Sequence, residues 1–187
     1  MAKKVLISCD STADLSPELL EEYRIAVCAQ PIVIDDRVLK DMVDVTPRDI
    51  FEYVEKTGKP AKTSATNAAD YIEYFRPFAD EGYEIVHFTI SAQMSASFNN
   101  CRMAAGEFEG VFAIDSKNLS SGIGLQAIRA AKLRDAGYSA AQIAAEIERY
   151  RETVDASFIL DTLEYMHNGG RCSSVAALGA NLLKLKP

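Results

Sequence analysis

Short apolar runs set apart by helix-length stretches constrain this chain more than any other feature. Val5-Leu6-Ile7-Ser8-Cys9, Ile25-Ala26-Val27-Cys28, Ile85-Val86-His87-Phe88-Thr89-Ile90 and Val111-Phe112-Ala113-Ile114 are each too short for a helix. Runs of this kind read as buried strands. Helix-start signals stand between them. Ser16-Pro17-Glu18 supplies an N-cap, a proline at the first helical position and an acid in the first turn. Thr46-Pro47-Arg48-Asp49 opens another helix, ending near Gly58. Asn67 caps a stretch through Tyr71, Ile72 and Phe75 that Pro77 is expected to interrupt. Residues 97–108, 120–136 and 139–153 read as further helices, the last two alanine-rich and parted by Gly137-Tyr138.

This alternation implies an α/β fold: a parallel-sheet, three-layer domain with helices on both faces, joined by right-handed crossovers. Ile32-Val33-Ile34 and Arg37-Val38-Leu39 flank Asp35-Asp36 like a hairpin. Phe158-Ile159-Leu160 is expected as a last short strand. Residues 162–168, the turn Gly169-Gly170-Arg171 and a helix-like segment over 174–183 follow it. A length of 187 residues suffices for one full domain of this type and little more.

Charge and cysteine usage narrow the function. Net charge is -7, from 20 basic against 27 acidic residues, which argues against a general nucleic-acid binder. No apolar stretch approaches the roughly 20 residues that span a bilayer. Lys3 and Lys4 are the only basic pair near the N-terminus, and the apolar run after them is too short for a secretory signal. Cys9, Cys28, Cys101 and Cys172 lie far apart with no Cys-x-x-Cys pair, as buried reduced thiols of a cytoplasmic protein would.

In a parallel α/β sheet, ligands bind at the carboxyl ends of the strands. Asp10-Ser11-Thr12, residues 91–95 and Asp115-Ser116 all fall at such ends. Two hydroxyl-rich segments, Lys62-Thr63-Ser64-Ala65-Thr66 and Ser91-Ala92-Gln93-Met94-Ser95-Ala96-Ser97-Phe98, precede helix-like stretches. Hydroxyls and free N–H groups at helix starts suit a carboxylate or phosphate. The plainer account of Thr63 and Ser95 is helix capping and turn bonding. For Asp10 the plain account is bonding of its turn, against a phosphoryl-accepting or acid-base role. A hydrolase or phosphotransferase using Asp10, Ser11 and Asp115 is the rival class of function. Gly122-Ile123-Gly124-Leu125-Gln126-Ala127 fits a loose dinucleotide pattern, but it lies too far after its strand, so close packing is the better account. A lone arginine such as Arg171 is ordinarily a surface residue. His87 and His167 have no serine or cysteine at a useful motif spacing, and neither is assigned a catalytic role.

Seven segments in order carry a resemblance: Asp10-Ser11-Thr12-Ala13-Asp14-Leu15; Asp44-Val45-Thr46-Pro47; Lys62-Thr63-Ser64; residues 91–98; Ile114-Asp115-Ser116-Lys117; Gly122-Ile123-Gly124-Leu125; and Thr162-Leu163-Glu164-Tyr165 with Gly169-Gly170-Arg171. The chain resembles the DegV family of bacterial fatty-acid-binding proteins. The resemblance implies a lipid-binding protein rather than an enzyme, holding a long-chain fatty acid such as palmitate and needing no cofactor or metal. It implies that Thr63 and Ser95, with the Ala96 amide, hold the carboxylate head group. It further implies a role as the acyl-carrying subunit of a fatty acid kinase, whose separate kinase subunit Arg171 would contact directly or through its phosphate. On the same ground residues 1–160 are expected as the head-group-binding domain, and residues 161–187 as the start of a second domain, in a fragment or a shortened relative. Missing channel wall around Val175, Leu178, Leu182, Leu183 and Leu185 is expected to be covered by self-association or left exposed. The family pattern has glycine where Ala96 stands, which raises the question of a positive φ there.

Overall fold

The computed structural model describes residues 4–168. In chain order the elements are β1 (Lys4–Asp10), α1 (Pro17–Tyr23), β2 (Ile25–Cys28), β3 (Pro31–Ile34), β4 (Arg37–Lys40), α2 (Pro47–Thr57), β5 (Lys62–Thr63), α3 (Ala68–Asp80), β6 (Tyr83–Thr89), α4 (Ser97–Ala105), β7 (Val111–Asp115), α5 (Ser121–Asp135), α6 (Ala140–Tyr150) and α7 (Glu164–Asn168). Two compact units share the chain, Met1–Gln30 with Ala65–Ala156 and Pro31–Ser64 with Ser157–Pro187.

Local signals start most of the helices. The Ser16 hydroxyl accepts from the Leu19 amide ahead of Pro17. Thr46 with Asp49 and Ser139 with Gln142 form capping boxes, and Asn67 accepts from the Asp70 amide. Three expectations are corrected. The third helix does not break at Pro77 but runs on to Asp80. Tyr71 and Phe75 before the proline, and Phe78 after it, pack into one apolar cluster, which offsets the lost backbone bond. The helix expected over 97–108 ends at Ala105. Phe158-Ile159-Leu160 is not a strand: it has no ladder partner among the described residues, and Phe158 and Ile159 are exposed.

In the first unit the sheet runs β2-β1-β6-β7, all parallel. Successive residues of a strand point to opposite faces. Ile7, Cys9, Val86, Phe88 and Ile114 pack with the buried residues of α5 and α6. Leu6, Ile85, Val111 and Ala113 pack on the other face with Tyr71 and Phe75 of α3 and Cys101 and Ala104 of α4. Helices thus cover both faces, as the alternation predicts.

The second unit contains an antiparallel sheet of order β4-β3-β5. Its β3–β4 hairpin turns at Asp35-Asp36, with Asp35 at φ 52°. Ile50 and Tyr53 of α2 pack on Ile32, Ile34 and Val45. The Tyr53 hydroxyl donates to Asp35 Oδ1 at 2.8 Å.

Candidate functional site

The three polar loops of the first unit follow neighbouring strands, so the sheet order alone gathers them at one edge. Backbone bonds knit them together. The Ser91 amide donates to the Asn118 carbonyl at 3.0 Å and the Ser120 amide to the Thr12 carbonyl at 2.9 Å. Asp115 Oδ1 accepts from the Ala92 and Lys117 amides at 3.1 and 3.0 Å. Asp115 therefore braces the loops.

Much of the donor supply in the loop before α4 is spent internally. The Gln93 amide donates to Ser91 Oγ, the Met94 and Ser95 amides to the Ser91 carbonyl, and the Ser97 amide to Ser95 Oγ. What remains is the helix start itself. The amides of Ala96, Phe98 and Asn99 precede the first helical bond, from the Asn100 amide to the Ala96 carbonyl. Ser95 is half-buried and Ala96 exposed beside them. Ala96 sits at φ -74°, ψ -5°, so this position demands no positive φ and alanine fits it without strain.

Asp10 departs from its expected role. Its side chain does not bond turn amides; it lies fully buried among side chains on the α3 side of the sheet. The Tyr71 hydroxyl donates to Asp10 Oδ1 at 2.8 Å, and His87 Nε2 lies 3.1 Å from the same oxygen. His87 Nδ1 lies 2.8 Å from Ser8 Oγ. Strand pairing explains the meeting, because Ser8 and His87 are direct partners in the β1–β6 register. Asp10 Oδ2 has no hydrogen-bond partner among the described residues. Burial, with the Asp10 charge second, pushes the Tyr71 phenol strongly upward, so it stays a donor. The chain continues outward. Gln30 Nε2 lies 3.5 Å from the Tyr71 hydroxyl, Ser97 Oγ 3.4 Å from Gln30 Oε1, and Ser95 Oγ 2.9 Å from Ser97 Oγ. Ser11 is separately engaged, its Oγ accepting from the Gln30 amide at 3.1 Å.

Asp10, Ser11 and Asp115 thus have separate structural tasks, and a fully buried Asp10 presents no face to a substrate. Sequence reasoning missed Ser8, Gln30, Tyr71 and His87. The available signal was polar residues at alternate positions of otherwise apolar strands. Thr63 lies in the second unit, exposed in β5 and paired with Ile32 of β3. It is a strand residue, not a helix-start residue. Arg171, the Gly169-Gly170-Arg171 turn, Cys172 and the segment 174–185 lie outside the described residues. A Cβ at Gly122 would collide with the Asn118 side chain, and one at Gly124 would come within 2.9 Å of Leu15. Close packing therefore accounts for that glycine pair. Among the described residues no helix is long and apolar enough to cross a membrane.

A four-stranded parallel sheet between helix layers, with polar loops at its carboxyl edge, defines an α/β domain of the class whose ligands bind at that edge. The sequence model of the DegV family, described as an uncharacterised protein of that family, matches residues 4–187. The chain belongs to the DegV family. A DegV domain-containing protein of Deinococcus radiodurans is 32% identical over 184 residues, which are 98% of this chain and 66% of that protein. A solved structure on the fatty acid binding of a DegV family protein from Thermus thermophilus is 29% identical, with a TM-score of 0.85. That match covers 98% of this chain and 66% of the other. A stearic-acid-binding protein from Eubacterium ventriosum is 26% identical with a TM-score of 0.78, over 94% of this chain and 63% of the other. The chain spans about two thirds of the length of these relatives.

Proposed function

We propose that this protein binds a long-chain fatty acid such as palmitate through its carboxyl head group. The observation that carries the reading is the likeness, at 29% identity and a TM-score of 0.85, to a DegV protein whose structure concerns fatty acid binding. The half-buried Ser95 and the amides of Ala96, Phe98 and Asn99, which precede the first helical bond of α4, supply groups suited to such a head at the carboxyl edge. Thr63 is the second head-group ligand that the family resemblance implies. Burial of the tail supplies most of the affinity, roughly 0.8 kcal/mol per methylene, while the polar groups position the head.

The same proposal extends to use of the bound acid. The protein presents it for activation or transport in the cytoplasm as the non-catalytic, acyl-carrying subunit of a fatty acid kinase, with Arg171 the residue the family resemblance assigns to contact with that partner or its phosphate. Residues 161–187 then belong to a second domain, and self-association is part of the same reading.

Two measurements test the core of it. Mass spectrometry of the denatured, purified protein should release a co-purified fatty acid. In titration calorimetry Thr63→Val and Ser95→Ala should each weaken palmitate binding about tenfold, the order of one hydrogen bond to a charged acceptor. Unchanged affinity in the double variant removes both residues from the site.

A further inference from the structure

Within the parallel sheet β7 is an outer strand, bonded on one side only, to β6. Ile85 pairs with Val111, and its amide donates to the Gly110 carbonyl at 2.9 Å. Bonds of a parallel pair alternate along the strand, so Gly110, Phe112 and Ile114 turn their backbone groups to β6. Val111, Ala113 and Asp115 turn theirs outward. Arg151 Nη1 donates to the Asp115 carbonyl at 2.9 Å, which closes the carboxyl end of this edge. The amides and carbonyls of Val111 and Ala113 have no bonding partner among the described residues, although both residues are half-buried. A cavity of about 280 Å³ lies against them, between α4 and α6. Ala105 and Gly106 wall it on the face of Val111 and Ala113, and Ala144 on the face of Phe112. Small residues on both walls leave the space open. Its charged lining residues are Arg102 on α4 and Glu148 on α6, both exposed and neither in an ion pair among the described residues.

We propose that this edge docks an extended peptide segment of a partner protein, which joins the sheet beside β7 and carries an acidic and a basic side chain at neighbouring positions. The two amides and two carbonyls of Val111 and Ala113 bond the main chain of the added strand, as in other cases of strand addition. Successive side chains of a strand point to opposite faces, so the added segment sends one residue towards α4 and the next towards α6. Arg102 on the first face selects an acid, and Glu148 on the second selects a base. A second copy of this chain fits less well. Its β7 reads Val111-Phe112-Ala113-Ile114-Asp115 and carries no base. A two-fold pairing of β7 with β7 also brings α4 to α4 and α6 to α6, so that like charges meet. A notch between two helices admits a bare strand rather than the edge of a sheet with helices of its own.

The test titrates the full chain with acetyl-Thr-Val-Glu-Lys-Val-Thr-amide and follows backbone amide signals and their hydrogen exchange by nuclear magnetic resonance. The peptide should slow exchange at Val111 and Ala113, whose amides exchange fast in the free protein. Replacing its central Glu-Lys by Glu-Glu or Lys-Lys should weaken binding about threefold, the order of one exposed ion pair. Methylating the peptide nitrogens that face the edge should weaken it about tenfold. Glu148→Lys should turn the preference to the Glu-Glu peptide, and Arg102→Glu to the Lys-Lys peptide. Both substitutions lie on exposed helix surface, and a reversal of preference is not what a loosened fold produces. If the peptide leaves exchange at Val111 and Ala113 unchanged, this edge is not its site and the proposal falls. The same ranking of the three peptides in wild type and both variants overturns the selection by charge. Slow exchange of both amides in the free protein, with a dimer in sedimentation, gives the edge to a second copy instead.

Discussion

The two faces of the parallel sheet use alternate residues of the same strands and differ in kind. Against α5 and α6, Ile7, Cys9, Val86, Phe88 and Ile114 meet a layer rich in alanine, with Ala127, Ala130, Ala131 and Ala140 all buried. Against α3, Ser8, Asp10 and His87 interrupt the apolar rows and meet Tyr71, Tyr74 and Phe75, whose rings stand edge-on to His87 at 5.2 to 5.8 Å. The first face gains stability simply by excluding water. On the second, each buried polar atom must be bonded or it destabilises the fold, and Asp10 Oδ2 has no partner among the described residues. The dry face holds the fold, and the polar face spends some of that stability on a buried row of polar groups that runs towards the carboxyl edge of the sheet.

The widest gap should appear in Phe88→Ala. Phe88 is fully buried on the dry face, and such truncations cost roughly 3–5 kcal/mol. Denaturant titration should show that loss, while fatty acid affinity measured well below the melting temperature stays within a factor of about two. A loss under 1 kcal/mol would dissolve the distinction between the faces.

Tyr71→Phe probes the polar face with almost no change of volume. It removes the donor to Asp10, and hydrogen bonds to a charged group are worth about 1.5–3 kcal/mol. Stability should fall by that amount. A loss below about 0.5 kcal/mol would show that this buried bond contributes no more than an exposed one.

Cys9 tests the dry face by pH. Burial first, and the neighbouring Asp10 charge second, push its thiol up to about 12 from 9.0. A raised folded value means that the native state holds the proton more tightly than the unfolded chain. The associated stability is full below about pH 9 and is lost as pH rises towards 12. Between pH 8 and 10.5 wild type should lose about 2 kcal/mol more than Cys9→Ala in parallel denaturation curves. Parallel curves for the two proteins would mean that Cys9 meets water.

How much of this was legible in the sequence follows from the range of each cause. Ser16-Pro17, Thr46-Pro47 and Asn67 start their helices through bonds to residues three positions on, so the sequence shows them directly. The strand cores and the gathering of loops at one edge follow from alternation. Phe158-Ile159-Leu160 was misread because strand character needs a partner that composition does not reveal. Thr63 was placed at a helix start because its partner Ile32 lies in a different part of the chain. The pairing of Ser8 with His87 is set by register across 79 residues, and no local pattern encodes it. Asp10 was legible as a strand-end acid, but the pleat decides that it points inward to Tyr71.

The smallest effect belongs to the rim of the dry face, where Asp135 at the end of α5 meets two arginines. Arg134 is mostly buried and donates to Asp135 at 2.9 Å and to the Tyr23 and Arg24 carbonyls at 2.8 and 3.0 Å. Arg24 reaches the same carboxylate at 2.7 Å, but its side chain is 71% exposed. The Arg134 hydrogen bond leads in holding the Asp135 carboxyl below its usual range. Exposed pairs contribute about 0–1 kcal/mol and are screened by salt. Arg24→Ala should therefore lower stability by less than about 0.5 kcal/mol at low salt, and by nothing measurable in molar salt. Because the Asp135 value is lowered on folding, this increment is present at neutral pH and is lost as pH falls through the carboxylate range. A salt-independent loss above 1 kcal/mol would show that the rim, rather than the apolar layer beneath it, closes this face.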